Sequence, residues 1–338
     1  MNDIGVLVMA YGGPDTLDDV EPYLLDVRGG RPTSAAIVEE VRERYRRIGG
    51  RSPIRERTEA QAAALESALN AGGAGGGSRG AARFRTYVGM RHWRPFIRET
   101  LARMAEDGIR RAVGLVMTPH YSRLSVAAYQ ARTAEAGAPV ELAHIDDWHL
   151  LPGYLDALER LVREALGRFP ADERPRLPVI FTAHSLPRRI LEWNDPYPRQ
   201  LRATAAALSE RLGGTLDAAA DPDSPAGAGP PDFPPGRESR FYFAYQSAAM
   251  TPDPWLGPDA GEVIDRLARQ GKRSALIVPI GFVCEHVEIL YDVDIVFREQ
   301  ARRAGLRLER TGMLNDAAPL VLGLAQRVRE RARESGWL

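Results

Sequence analysis

His184 lies near the end of an apolar run, PVIFTAHSLP (178–187), and is the first residue equipped for chemistry. The run reads as a buried strand, and parallel sheets bind ligands beyond the carboxyl ends of their strands. A histidine there can ligate a metal or accept a proton. It can equally cap the strand end through a backbone hydrogen bond. A second segment, PIGFVCEHVEILYD (279–292), follows another such run. If it is helical from Val283, Glu285 and Glu288 lie three apart, while Glu288 and Asp292 lie four apart on one face. Paired carboxylates bind hard or borderline cations or shuttle protons. They also occur on solvated acidic faces, but Ile289, Leu290, Val293 and Ile295 make this segment apolar. A buried carboxylate needs a partner or a function. His286, two residues from Glu288, points elsewhere on a helix and reads as structural.

Tyr11 follows the first apolar run and is the counterpart of His184 in the other half of the chain. It can face a ligand or pack on its own loop. ERYRRIGGRSP (43–53), with Arg28 and Arg31 upstream, supplies arginines, the preferred donors to carboxylates. A charged helix face accounts for some of them, so Arg44, Tyr45 and Ser52 matter only beside an anionic ligand. PDPWLGPD (252–259) reads as a rigid loop wall. His120, Tyr121, Tyr129 and Trp148 line a flat apolar pocket or belong to the core.

Other chemistries are excluded. HExxH is absent, which removes zincins, and Ser185 in HSLP follows a histidine with no elbow glycines, which argues against an α/β-hydrolase. AYGGP is not GxGxxG, and Asp15, Asp18, Asp19 and Glu21 would repel a pyrophosphate. Cys284 is the single cysteine, which excludes a disulfide framework, a cysteine-held Fe–S cluster and a CxxC zinc site. Lysine and arginine total 45 against 45 acidic residues, so no basic excess points to nucleic acid. No apolar stretch reaches membrane-spanning length, and a soluble, cytoplasmic protein is expected.

The elements that must position these residues follow from periodicity. The 338 residues are 44% hydrophobic, enough for two α/β lobes. Short apolar runs predict strands at 5–10, 83–89, 112–118, 140–145, 178–183, 240–246, 274–280 and 306–309. Amphipathic segments between them predict helices, including 16–27, 34–48, 55–70, 285–303 and 315–334. This alternation predicts mostly parallel sheets. LVMAYGGP (7–14) and IFTAHSLP (180–187) echo one another, so two similar lobes are expected, 1–149 and 150–338. Gly-rich 71–80 and Pro/Gly/Ala-rich 217–239 read as flexible ornaments, the latter an insertion in the second lobe.

Taken together, VMAYGGP (8–14), YRRIGGRSPI (45–54), YVGMRHWRPF (87–96), TAHSLP (182–187), NDPYP (194–198), YQSAAMTPDPWLGP (245–258) and VPIGFVCEHVEILYD (278–292) resemble the ferrochelatase family. The resemblance spans nearly the whole chain. It implies two Rossmann-like lobes around a porphyrin cleft and insertion of Fe²⁺, a substrate, into the macrocycle. It implies catalytic and metal-ligating roles for His184 and Glu288, with Asp292 behind Glu288 and Tyr11 on the opposite porphyrin face. Arg28, Arg44, Tyr45, Ser52 and Tyr129 fall where soluble bacterial members contact the porphyrin and its propionates. Val296 stands where many members carry a further acid, which shortens the acidic relay. Gly13 stands where threonine is frequent, at the cost of one substrate hydrogen bond. With Cys284 alone, the Fe–S cluster of some members is not expected, nor any tightly bound cofactor. The polar segment LLDVRGGRPTSAAIVEEV (24–41) resembles the branch that acts on coproporphyrin III. Protoporphyrin IX insertion, a cobalt or nickel chelatase and a non-catalytic haem carrier are the alternatives. A monomer with transient contacts to neighbouring haem-pathway enzymes is expected.

Overall fold

The computed structural model describes residues 3–71, 82–217, 240–249 and 253–338. The segments expected to be flexible, 71–80 and 217–239, lie outside the described residues apart from Ala71 and Asp217.

The first sheet contains β1 (Ile4–Ala10), β2 (Phe84–Met90), β3 (Arg111–Val116) and β4 (Glu141–Ile145), all parallel, in the order β2-β1-β3-β4. The second contains β5 (Val179–His184), β6 (Phe241–Gln246), β7 (Ser274–Val278) and β8 (Arg307–Arg310), parallel, in the order β6-β5-β7-β8. The two orders repeat one topology, as the internal echo predicts. Each expected strand is present, with bounds displaced by one or two residues. β1 is buried along its whole length, which explains its unbroken apolar sequence.

The helices are α1 (Val20–Val27), α2 (Ala35–Arg47), α3 (Ile54–Asn70), α4 (Ile97–Glu106), α5 (Val126–Glu135), α6 (Pro152–Leu166), α7 (Tyr197–Arg211), α8 (Ala260–Arg269), α9 (Arg298–Arg303) and α10 (Ala318–Glu334). Local chemistry sets several of their ends. Ser34 accepts from the Ile37 N–H at the start of α2. Asp259 accepts from Gly261 N–H at 2.8 Å, and Glu262 accepts from Asp259 N–H at 3.2 Å, framing α8.

The chain forms two compact units. The first comprises Met1–Tyr154, Cys284–Val287 and Asn315–Leu338, and the second Leu155–Val283 and Glu288–Leu314. The division therefore differs from the expected 1–149 and 150–338. The C-terminal helix belongs to the first unit because it packs on α3. There Arg329 donates to the carbonyls of Ala68 and Leu69 at 2.9 and 2.8 Å, and Gln61 of α3 donates to the Asn315 carbonyl at 3.0 Å. The two Arg329 bonds satisfy carbonyls that the end of α3 leaves open.

A second difference lies in 285–303, expected as one helix. Residues up to Val287 precede the regular segment, Glu288–Phe297 is a π-helix, and α9 follows. Its buried residues, Ile289, Val293 and Phe297, recur every fourth position. Over ten residues that spacing does not distinguish an α from a π winding in sequence. π segments concentrate at functional sites.

Candidate active site

In the second sheet the strand order reverses direction between β5 and β7. Ligands in such sheets bind at the carboxyl ends of the strands flanking this switch. His184 ends β5, and the π-helix carrying Glu288 follows β7. His184 Nδ1 lies 2.9 Å from Glu288 Oε2. Both side chains are about one-third exposed, at 34% and 31%. Burial disfavours the charged imidazole, but the charge and hydrogen bond of Glu288, with the charge of Asp292, outweigh it and raise its pKa. Two groups that are good ligands for a borderline cation are thus held in hydrogen-bond contact.

Neighbouring groups fix this pair. Tyr197 donates its hydroxyl to the His184 carbonyl at 2.9 Å. Trp255 stands edge-on to the imidazole, with ring centroids 6.3 Å apart. Gln246, opposite His184 on β6, donates through Nε2 to the Glu288 carbonyl at 3.0 Å. The Ser247 hydroxyl donates to the Asp292 carboxylate. Two residues at the end of β6 thus hold successive turns of the π-helix. Gln246, Ser247 and Tyr197 contribute here although neither YQS nor NDPYP carries a chemical signature of its own. Their signal was position: Gln246 ends the strand beside His184. Trp255, read as a loop wall, does form a wall, against the imidazole. Glu285 is not on the π-helix. It pairs with Arg57 at 3.1 Å and accepts from Asn315 at 3.4 Å.

The first unit holds the other expected residues. Tyr11 follows β1, beside the corresponding switch between β1 and β3, and is 39% exposed. Its ring lies 4.6 Å from that of His92, which is buried and contacts Asp26 at 2.7 Å through Nδ1. Burial pushes the His92 pKa down to about 4 despite the opposing pull of Asp26. Tyr129 is buried beneath the Arg91 guanidinium, 5.4 Å from its ring centroid, and burial raises its phenol above the ordinary range. Tyr45 is buried among Val20 and Val38. Ser52 is also buried, and its N–H donates to the Pro14 carbonyl at 2.8 Å. A β-carbon at Gly13 would lie 2.6 Å from Ser52 Cβ and Oγ and 3.5 Å from the Tyr45 hydroxyl, so these three residues converge. Arg28 is exposed, with no ion pair among the described residues. Arg44 is not presented freely, because Glu40 pairs with it at 2.6 Å. Arg42 and Arg46 pair similarly with Glu39 and Glu43 on α2.

Two parallel sheets with a histidine–carboxylate pair at a switch point are a chelatase-type arrangement. The fold is similar to SirB from Bacillus subtilis solved with Fe³⁺, at TM-score 0.52 and 11% identity, covering 99% of this chain and 97% of that one. The ferrochelatase family model matches residues 3–332. Similar proteins include the ferrochelatase of Deinococcus radiodurans, 40% identical over 97% of this chain and 95% of that one. The coproporphyrin III ferrochelatase of Geobacillus kaustophilus is 36% identical over 98% of this chain and 97% of that one. The chain belongs to the ferrochelatase family, and its activity is that of a ferrochelatase, a metal chelatase.

Proposed function

We propose that this ferrochelatase inserts Fe²⁺ into coproporphyrin III. The observation that carries the chemistry is the His184–Glu288 pair at 2.9 Å, backed by Asp292. A porphyrin must lose two pyrrole protons and receive a metal through one face. Neutral imidazole and carboxylate suit Fe²⁺. His184 ligates the incoming metal or accepts a pyrrole proton, and Glu288 is the partner ligand and carries protons onward to Asp292. Two donors leave most of the coordination sphere open, which suits a metal in transit. Binding energy from the peripheral carboxylates supports bending of the ring toward the metal. Fe²⁺ is a substrate here, and no resident cofactor is required. One cysteine cannot supply the thiolates of an Fe–S cluster.

The choice of coproporphyrin rests on the segment 24–41. It exposes Arg28 and Arg31, donors suited to a macrocycle with four propionates. It also exposes Leu25 and Ile37, so it is more mixed than its polar sequence suggests. Relatives carry both the general name and the coproporphyrin III name. Tyr11, Arg28, Arg44, Tyr45, Ser52 and Tyr129 are the proposed porphyrin contacts, with Arg44 exchanging Glu40 for a propionate. A cytoplasmic monomer is proposed. No helix among the described residues is long and apolar enough to cross a membrane.

Anaerobic Fe²⁺ insertion into coproporphyrin III and protoporphyrin IX, followed by absorbance, tests the reading. Faster turnover of coproporphyrin is the expected result. Preference for protoporphyrin overturns the substrate, and stoichiometric haem binding without insertion makes the protein a carrier.

A further inference from the structure

We infer that Gly13 is a positioning residue that sets the substrate-facing hydroxyl of Ser52. The inference rests on the reading of Ser52 as a porphyrin contact. Three observations converge. First, a β-carbon at Gly13 would come within 2.6 Å of both Cβ and Oγ of Ser52. Real side chains do not tolerate that approach. Ser52 Cβ is bonded to the backbone, so it cannot swing clear as the tip of a long side chain could. Second, Ser52 is anchored to the same loop, because its N–H donates to the Pro14 carbonyl at 2.8 Å. Moving Ser52 aside therefore strains that bond. Third, Ser52 Oγ accepts from Ile54 N–H at 3.4 Å, and its own proton has no acceptor among the described residues. The residue is only 7% exposed. A nearly buried hydroxyl with an uncommitted proton is a ready donor to a carboxylate, provided its position is held.

Gly13 is thus a close-approach glycine, required for the space its side chain would fill. The volume left by its missing side chain is occupied by the Ser52 hydroxymethyl group. The missing side chain at position 13 does not simply subtract a substrate hydrogen bond, as the family resemblance implies. It admits a hydroxyl from the 50–53 loop to the neighbourhood a longer residue would reach. Tyr45 borders the same space, its hydroxyl 3.5 Å from the position of that β-carbon.

The test is metal-free titration with coproporphyrin III, read by fluorescence, on G13A, S52G, G13A/S52G and G13S/S52G. A hydrogen bond to a charged group corresponds to about a tenfold or larger change in Kd. S52G and G13A are each expected to weaken binding about tenfold. In the S52G background, G13A is expected to change Kd by less than about twofold, because the obstructed atoms are gone. G13S/S52G returns a hydroxyl from the other side and is expected to recover most of the affinity. Its recovery keeps the test decisive even if G13A alone folds poorly. Unchanged binding in S52G overturns the reading of Ser52 as a contact, and the inference with it. Weakened S52G with unchanged G13A, or fully additive losses, overturns the inference alone.

Discussion

Ser247 and Asp292 are joined by a hydrogen bond whose donor sits in a left-handed backbone conformation, with φ of 60°. A serine rarely adopts that conformation. The turn after β6 must bend sharply to bring the hydroxyl under the π-helix, and the strain accompanies the contact. Two substitutions separate these effects. S247A keeps the unfavourable backbone and loses the bond, whereas S247G relaxes the backbone and loses the same bond. Both are expected to slow insertion several-fold. S247G is expected to be the more stable variant by about 1 kcal/mol, the usual scale of the left-handed penalty. Thermal unfolding and steady-state kinetics on the pair check this, and equal activity to the parent would leave Asp292 without a need for its donor.

The His184–Glu288 pair is expected to control chemistry more than porphyrin affinity. H184A and E288A should each reduce Fe²⁺ insertion at least about a hundredfold, within the range of lost general acid–base groups. Porphyrin Kd should stay within about threefold. Parallel loss of binding and activity would show that the pair is structural.

The same pair makes stability depend on pH. The His184 pKa in the folded protein is raised above 6.5 by Glu288. The folded state therefore binds its proton more tightly than the unfolded state. The resulting stabilisation is fully present below about pH 6.5 and disappears as pH rises through the raised folded value. Urea midpoints measured from pH 6 to 9 should fall through that window in the parent protein. E288Q removes the charge, so the decline attributable to His184 should flatten.

Gly281 carries a prediction about placement. Its β-carbon would lie 2.5 Å from Ala183 Cβ and 2.9 Å from Ala183 Cα. Its N–H donates to the Thr182 carbonyl at 3.1 Å, so the loop after β7 is pressed on the end of β5. G281A should cost about 1–3 kcal/mol by overpacking and displace His184. A melting-temperature measurement with an insertion assay checks both effects, and a neutral result would mean that the loop is free to retreat.

Arg28 tests the choice of macrocycle. If it meets a propionate, R28A should raise KM for coproporphyrin III about tenfold and for protoporphyrin IX less. The difference should shrink at high salt, where an exposed charge is screened. Equal effects on both porphyrins would remove Arg28 from carboxylate selection.

The eight strands were legible because parallel strands buried on both faces are written as uninterrupted apolar runs, as in IGVLVMA and VIFTA. His184 was legible for the same reason: it stands where the second of these runs stops. Glu288 and Asp292 were legible as a pair, but their π winding was not. Buried positions at 289, 293 and 297 satisfy either winding over so short a segment. Gln246, Ser247 and Tyr197 were hidden because their partners are 42, 45 and 13 residues away. Arg44 shows the opposite limit. Its residue type suggested an available cation, and only the structure reveals Glu40 already beside it. The membership of α10 was equally invisible, since an amphipathic helix does not record which sheet it will cover.

Because α10 completes the first unit, that unit cannot reach its final packing when its own sheet leaves the ribosome. Its four strands end at Ile145, yet the helix whose Arg329 caps α3 follows β8 in the chain. The second sheet is synthesised in the interval. Nascent chains halted before Ala318 should therefore carry all four strands of the first sheet without the helix that packs on β3 and β4, a face open to chaperones and proteases until α10 has been made.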